Sequence, residues 1–143
     1  MAWDFETYPE YLDAVRRRGT AIHFGGHVGH TAIRLYVLGD EAYERPASEA
    51  ELARMKALVA SSLRGGALGF SSDRAGFHLG DGGRPVPSMA ATQHETEALM
   101  EVVGEVGHGV VHVAPGEDYA WDYALQRRLR RPLHWSAILT YPP

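Results

Sequence analysis

His23, His27 and His30 fall within a single short segment, and imidazoles grouped in this way can hold a divalent metal. On an extended chain His23 and His27 share a face, while His30 sits just past the strand's C-terminal end. The same spacing also suits a hydrogen-bonded core His23 and a His30 that fixes a loop beside Thr31. Arg34 offers a planar fork of donors that fits a substrate carboxylate, or else a structural pairing with Asp40 or Glu41. Ser71, Ser72 and Asp73 end a short apolar run, where they can touch a substrate or cap backbone. No His–Asp partner can be assigned to either serine, so a hydrolase triad has no direct support. Arg74 and His78 lie on a loop that reads as part of a lid or as a plain surface loop. Further along, His112 is a third metal candidate beside His27 and His30. Arg127, Arg128, Arg130 and Arg131 look like a basic patch, but near a helix C-terminus such charges suit the dipole and face water.

These groups need elements to position them. Ser48 and Glu51 have the spacing of a capping box, and Leu52, Met55, Val59 and Leu63 continue at helical spacing until Gly65-Gly66. Ala67-Leu68-Gly69-Phe70 then reads as a strand buried on both faces, with Ser71 to Asp73 emerging from its end. Similar helix-then-strand units recur. Thr7, Pro9 and Glu10 start a helix that Gly19 stops, ahead of a strand over 20–28. Residues 29–47 form a long connection with a helical turn through Arg34 and Val37. Residues 73–91 have no hydrophobic period, and a loop of that length is usually functional or disordered. Thr92 and Glu95 make another possible capping box, for a helix ending at Gly107 and a strand over 109–114. Glu117 or Asp118 opens a helix closed by Pro132, and a strand follows over 133–139, with Trp121 and Trp135 as core anchors.

Alternating helices and strands predict parallel strands joined by right-handed crossovers. There is no G-x-G-x-x-G or P-loop to support a nucleotide-binding sheet. The alternative is a (β/α)8 barrel, which needs roughly 250 residues. This chain has 143 residues and four strands, enough for one partial barrel domain over 1–143. With a net charge of -4, nucleic acid is not the expected partner. No apolar run reaches the ~20 residues of a membrane span. The chain has no cysteine, which excludes disulfides and thiolate chemistry and leaves His, Asp and Glu to hold any metal. A cytoplasmic location is the expectation.

Three stretches carry a family resemblance. These are Trp3-Asp4-Phe5-Glu6-Thr7-Tyr8-Pro9-Glu10-Tyr11-Leu12, Val28-Gly29-His30-Thr31-Ala32-Ile33-Arg34 with Leu38-Gly39, and Gly66-Ala67-Leu68-Gly69-Phe70-Ser71-Ser72. In this order they resemble the amidohydrolase superfamily, in its D-aminoacylase or N-acyl-D-amino-acid deacylase branch. The resemblance implies a zinc-type metal-dependent hydrolase on a distorted (β/α)8 barrel, with metal-bound hydroxide attacking an amide carbonyl. The family's His-x-His and final Asp have no counterpart in these residues. Two further family segments, His-Ile-Arg-(Asp/Glu) and Ser-His-(Leu/Phe)-Lys, read here His112-Val113-Ala114-Pro115 and Ser136-Ala137-Ile138-Leu139. Their ligand positions are read as Ala114 and Ala137. His112 shares the face of Ala114, about 6.6 Å away at strand rise, and can substitute there. His134, three before Ala137, points the other way.

The reading is therefore an internal portion of a hydrolase acting on linear amide bonds of N-acyl amino acids, inactive by itself. Its substrate-binding candidates are His30, Arg34, Ser71, Ser72, Arg74 and His78. Its metal candidates are His27, His30 and His112. Two alternatives stand: a relative that has lost its metal, and a small α/β module that self-associates through its strand edges. In the second case two copies close an eight-stranded barrel.

Overall fold

The computed structural model describes residues 3–114 and 119–136. Thr7 accepts a hydrogen bond from the backbone N–H of Glu10, whose carboxylate returns to the Thr7 N–H, and this reciprocal cap starts α1 (Tyr8–Arg18). The expected strand over 20–28 is much shorter. Only β1 (His27–Gly29) pairs as a strand; just before it the Gly26 carbonyl accepts from the Leu68 N–H at 2.9 Å, and residues 20–25 lie outside the ladder. The supposed long connection begins with a complete helix, α2 (His30–Leu38), followed by a 3₁₀ turn over Gly39–Tyr43. Ser48 and Glu51 form the anticipated capping box of α3 (Glu49–Arg64).

The next strand, β2 (Gly69–Asp73), starts later than its apolar run and continues through both serines. Ser71 to Asp73 are rungs of the ladder, paired with β3, and do not emerge beyond it. Thr92 caps α4 (Gln93–Val106), and Gly107 closes it in the left-handed conformation. Then come β3 (Val110–Ala114), α5 (Tyr119–Leu129) and β4 (Leu133–Trp135). The proposed helix start at Glu117 or Asp118, and residues 137–139 of the last strand, lie outside the described residues.

All three strand pairings are parallel and the order is sequential, β1-β2-β3-β4. This is an arc of a (β/α)8-type sheet that does not close among the described residues. One face is apolar: Val28, Phe70, Val111 and Val113 pack against Met55, Val59 and Leu63 of α3, and the same core takes in Leu99 and Val103 of α4 and Leu125 of α5. Strand alternation sends the other residues to the open face, namely His27, Gly29, Gly69, Ser71, Asp73, His112 and His134. Of the run expected to be buried on both faces, Ala67, Gly69 and Phe70 are buried and Leu68 is exposed, while Ser71 and Asp73 beyond it are half-buried. No helix among the described residues is long and apolar enough to cross a membrane.

Candidate functional site

The C-terminal ends of the strands border a cleft of about 250 Å³, lined by Gly29, Ser71, Asp73, His78, His112 and Ser136 among others. Barrel enzymes do their chemistry at this end. Asp73 closes β2 and binds forward into the next loop: one oxygen accepts from the Ala75 N–H at 2.8 Å, and the other meets His78 Nδ1. The long loop is tied down along its length. Thr31 Oγ1 donates to Ser88 Oγ at 3.2 Å, the guanidinium of Arg84 lies 3.9 Å over the ring of Tyr43, and Leu79 bridges Pro85. Arg74 is placed away from the cleft's polar groups, with its guanidinium 4.0 Å over the ring of Trp121.

Behind the cleft, on the helix side, lies a buried polar cluster. His30 opens α2 and is 1% exposed. Its Nε2 is 3.0 Å from Glu95 Oε1 and its Nδ1 is 2.9 Å from Ser72 Oγ. Burial pushes the His30 pKa down, against the pull of Glu95, so the ring is neutral. In that state Nε2–H donates to Glu95 and Nδ1 accepts from the Ser72 hydroxyl. Arg34, one turn further along α2, is fully buried. Its Nη1 donates to both carboxylate oxygens of Glu95, and its Nε and Nη2 donate to the carbonyls of Ala42 and Arg45. Burial would raise the Glu95 pKa, but hydrogen bonds from His30, Arg34 and the Ala47 N–H prevail and hold it at about 2.

The expected partners of Arg34, Asp40 and Glu41, are therefore replaced by Glu95. Its spacing after Thr92 had marked Glu95 as a capping residue. Its backbone N–H does take the Thr92 cap, at 3.1 Å, but its carboxylate turns inward to α2. Sequence reading missed this residue, although a buried arginine calls for an acid somewhere.

On the open face, His27, His112 and His134 form a row. The rings of His27 and His112 are 5.6 Å apart, and those of His112 and His134 stack at 5.0 Å. Register explains the row: His112 pairs directly with His134, and Gly69, opposite His27, leaves the gap the rings lean across. Burial first, and then the neighbouring imidazoles, lowers the pKa of both His27 and His112. His112 Nε2 is 2.8 Å from Ser136 Oγ.

The structure does not bring His27, His30 and His112 together. His30 faces the helices and spends both nitrogens on Ser72 and Glu95, while the other two lie across the sheet. Among the described residues no three His, Asp or Glu side chains are grouped to hold a metal ion, so the side chains present do not fit a zinc site. Ala114 brings no donor, and Ala137 lies outside the described residues. Of the substrate candidates, Ser71 and His78 line the cleft. His30 and Ser72, both buried, form its inner wall, and Arg34 is buried behind them with its partners.

No protein-family model matches the chain. It is 30% identical to a D-aminoacylase of Alcaligenes xylosoxydans xylosoxydans over 118 residues, 82% of this chain and 22% of that enzyme. It is 37% identical to an N-acyl-D-aspartate deacylase of the same organism over 103 residues, 72% of this chain and 19% of the relative. A solved D-aminoacylase with a binuclear metal centre superposes with a TM-score of 0.71 at 26% identity, over 89% of this chain and 26% of that one. The chain thus spans about a fifth of the length of the curated relatives it matches. The motifs, the sequential parallel strands and these similarities agree: over the residues it spans, the chain belongs to the D-aminoacylase-like branch of the amidohydrolase superfamily.

Proposed function

We propose that these residues form one wall of the substrate cleft of a hydrolase that cleaves the amide bond of N-acyl amino acids. The observation that carries this is the coincidence of the cleft, at the C-terminal ends of β1 to β4, with similarity to a D-aminoacylase over 82% of the chain. Ser71, His78 and Ser136 present donors and acceptors to an amide or carboxylate. His30, Ser72, Arg34 and Glu95 position the ends of β1 and β2 from behind. The metal chemistry of longer relatives draws on ligands that the described residues do not assemble, and no step is assigned to a metal here. Alone, the chain binds N-acyl amino acids without hydrolysing them.

The test is a titration of the isotope-labelled chain with N-acetyl-D-amino acids, followed by backbone amide NMR. A parallel assay measures free amine with and without zinc. The expected outcome is saturable shifts at Ser71, His78 and His112 with no amine released. Saturating ligand that leaves those amides unmoved defeats the reading, and amine release by the chain alone defeats the claim of inactivity.

A second reading is favoured by one observation: among the described residues β1 and β4 each pair on one side only, and Ile22, Phe24 and Leu68 are exposed near the start of β1. Such edges recruit further strands. A second copy would supply them, and light scattering that shows only monomer at high concentration rules this out.

A further inference from the structure

We infer that Ser136 and His112 form a nucleophile–base dyad able to take an acyl group from an activated ester, an activity separate from amide hydrolysis. Ser136 follows directly on β4 at the cleft mouth, and its N–H donates to the Val113 carbonyl at 2.9 Å, which fixes it at the end of the ladder. Its hydroxyl, on an exposed residue, lies 2.8 Å from His112 Nε2, inside the range of nucleophile–base pairs. The His112 ring is held on both sides, by His134 stacked at 5.0 Å with planes 24° apart and by His27 at 5.6 Å. A general base must keep its orientation, and among the described residues stacking supplies it where a triad would use a carboxylate. The adjoining cleft of about 250 Å³ has room for a small acyl group.

Ser136 Oγ forms a bond to the ester carbonyl carbon while its proton passes to His112 Nε2. The carbon–oxygen bond to the aryl leaving group breaks, and His112 returns the proton to the departing phenolate or to solvent. Water, deprotonated by the same imidazole, then bonds to the acyl carbon. The bond from that carbon to Ser136 Oγ breaks, and His112 returns the proton to Oγ as the acid leaves. With no carboxylate behind the imidazole among the described residues, the dyad suits aryl esters and not unactivated amides.

The test uses the intact chain with an alkyl fluorophosphonate, read by whole-protein mass and peptide mapping. One adduct is expected, on Ser136, forming faster than on a free serine amide in the same solution. In His112→Gln, with its fold checked by circular dichroism, labelling should slow about a hundredfold, the low end for loss of a general base. The exposed His94→Gln should label as the parent does. Absence of an adduct, an adduct on Ser71 or Ser72 instead, or a rate no faster than free serine overturns the dyad. So does a folded His112→Gln that labels at the parental rate. None of these readouts depends on whether the cleft binds N-acyl amino acids.

Discussion

Arg34 and Glu95 lie 61 positions apart in sequence and meet inside the protein. One guanidinium nitrogen bonds both carboxylate oxygens, at 2.6 Å to Oε2, with neither residue more than 2% exposed. The pair joins α2 to the first turn of α4. Through the Ala42 and Arg45 carbonyls and the Ala47 N–H it also holds the turn between α2 and α3.

Removing one partner strands the other as a buried charge. Glu95→Ala should cost about 3–5 kcal/mol of unfolding free energy, measured by urea denaturation. Arg34→Lys should cost a substantial part of that, because an ammonium cannot replace five N–H groups in a fixed plane. A loss below about 1 kcal/mol for Glu95→Ala would show that water reaches the cluster.

Acid should destabilise the chain in two stages. The pKa values of His27, His30 and His112 lie below the ordinary 6.5, so between their folded and unfolded values the unfolded chain binds more protons. Their contribution is complete above pH 6.5 and is lost as pH falls through the folded values. Glu95, at about 2, adds stability that is complete above the ordinary carboxylate value near 4.5 and disappears as pH falls toward 2. Thermal melts from pH 8 to pH 3 should show Tm falling below 6.5 and falling again below 4.5. A Tm flat from pH 7 to pH 5 would contradict the histidine assignment.

Gly69 sits where β1, β2 and β3 meet. A methyl group there would press onto the Val110 carbonyl oxygen and come within 2.9 Å of His27 Cδ2. Gly69→Ala should therefore lose about 3 kcal/mol or more, since backbone cannot swing away as a side-chain tip can. Gly76→Ala, with nothing within 4 Å and no left-handed backbone, should stay within about 0.5 kcal/mol. Comparing the two by chemical denaturation separates a packing requirement from generic glycine effects.

Ser48→Ala removes the hydroxyl that caps α3 and should cost about 1 kcal/mol. Hydrogen exchange confined to the first turn of α3 would confirm that the loss is local.

The caps of α1, α3 and α4 were legible because each depends on residues three apart. The parallel order of strands was legible from the alternation of elements. The extent of α2 was not, because Gly29 caps it with no side chain and its buried face includes His30 and Arg34, which read as polar. The first strand was drawn too long over 20–28, since composition cannot show which extended residues find a partner. The site was only partly readable. Ser71 was expected at the end of a strand and His78 on a lid loop, and both line the cleft, Ser71 from within the ladder. Glu95, Ser136 and the His112–His134 stack depend on contacts between distant segments, which no local spacing encodes.

The buried ionic cluster and the row of imidazoles lie on opposite sides of the same sheet. Residues that face the cleft can therefore be exchanged for others without disturbing the foundation that keeps the rim in place. A mutational library restricted to Ser71, His112, His134 and Ser136 would sample new surface chemistry on an unchanged scaffold.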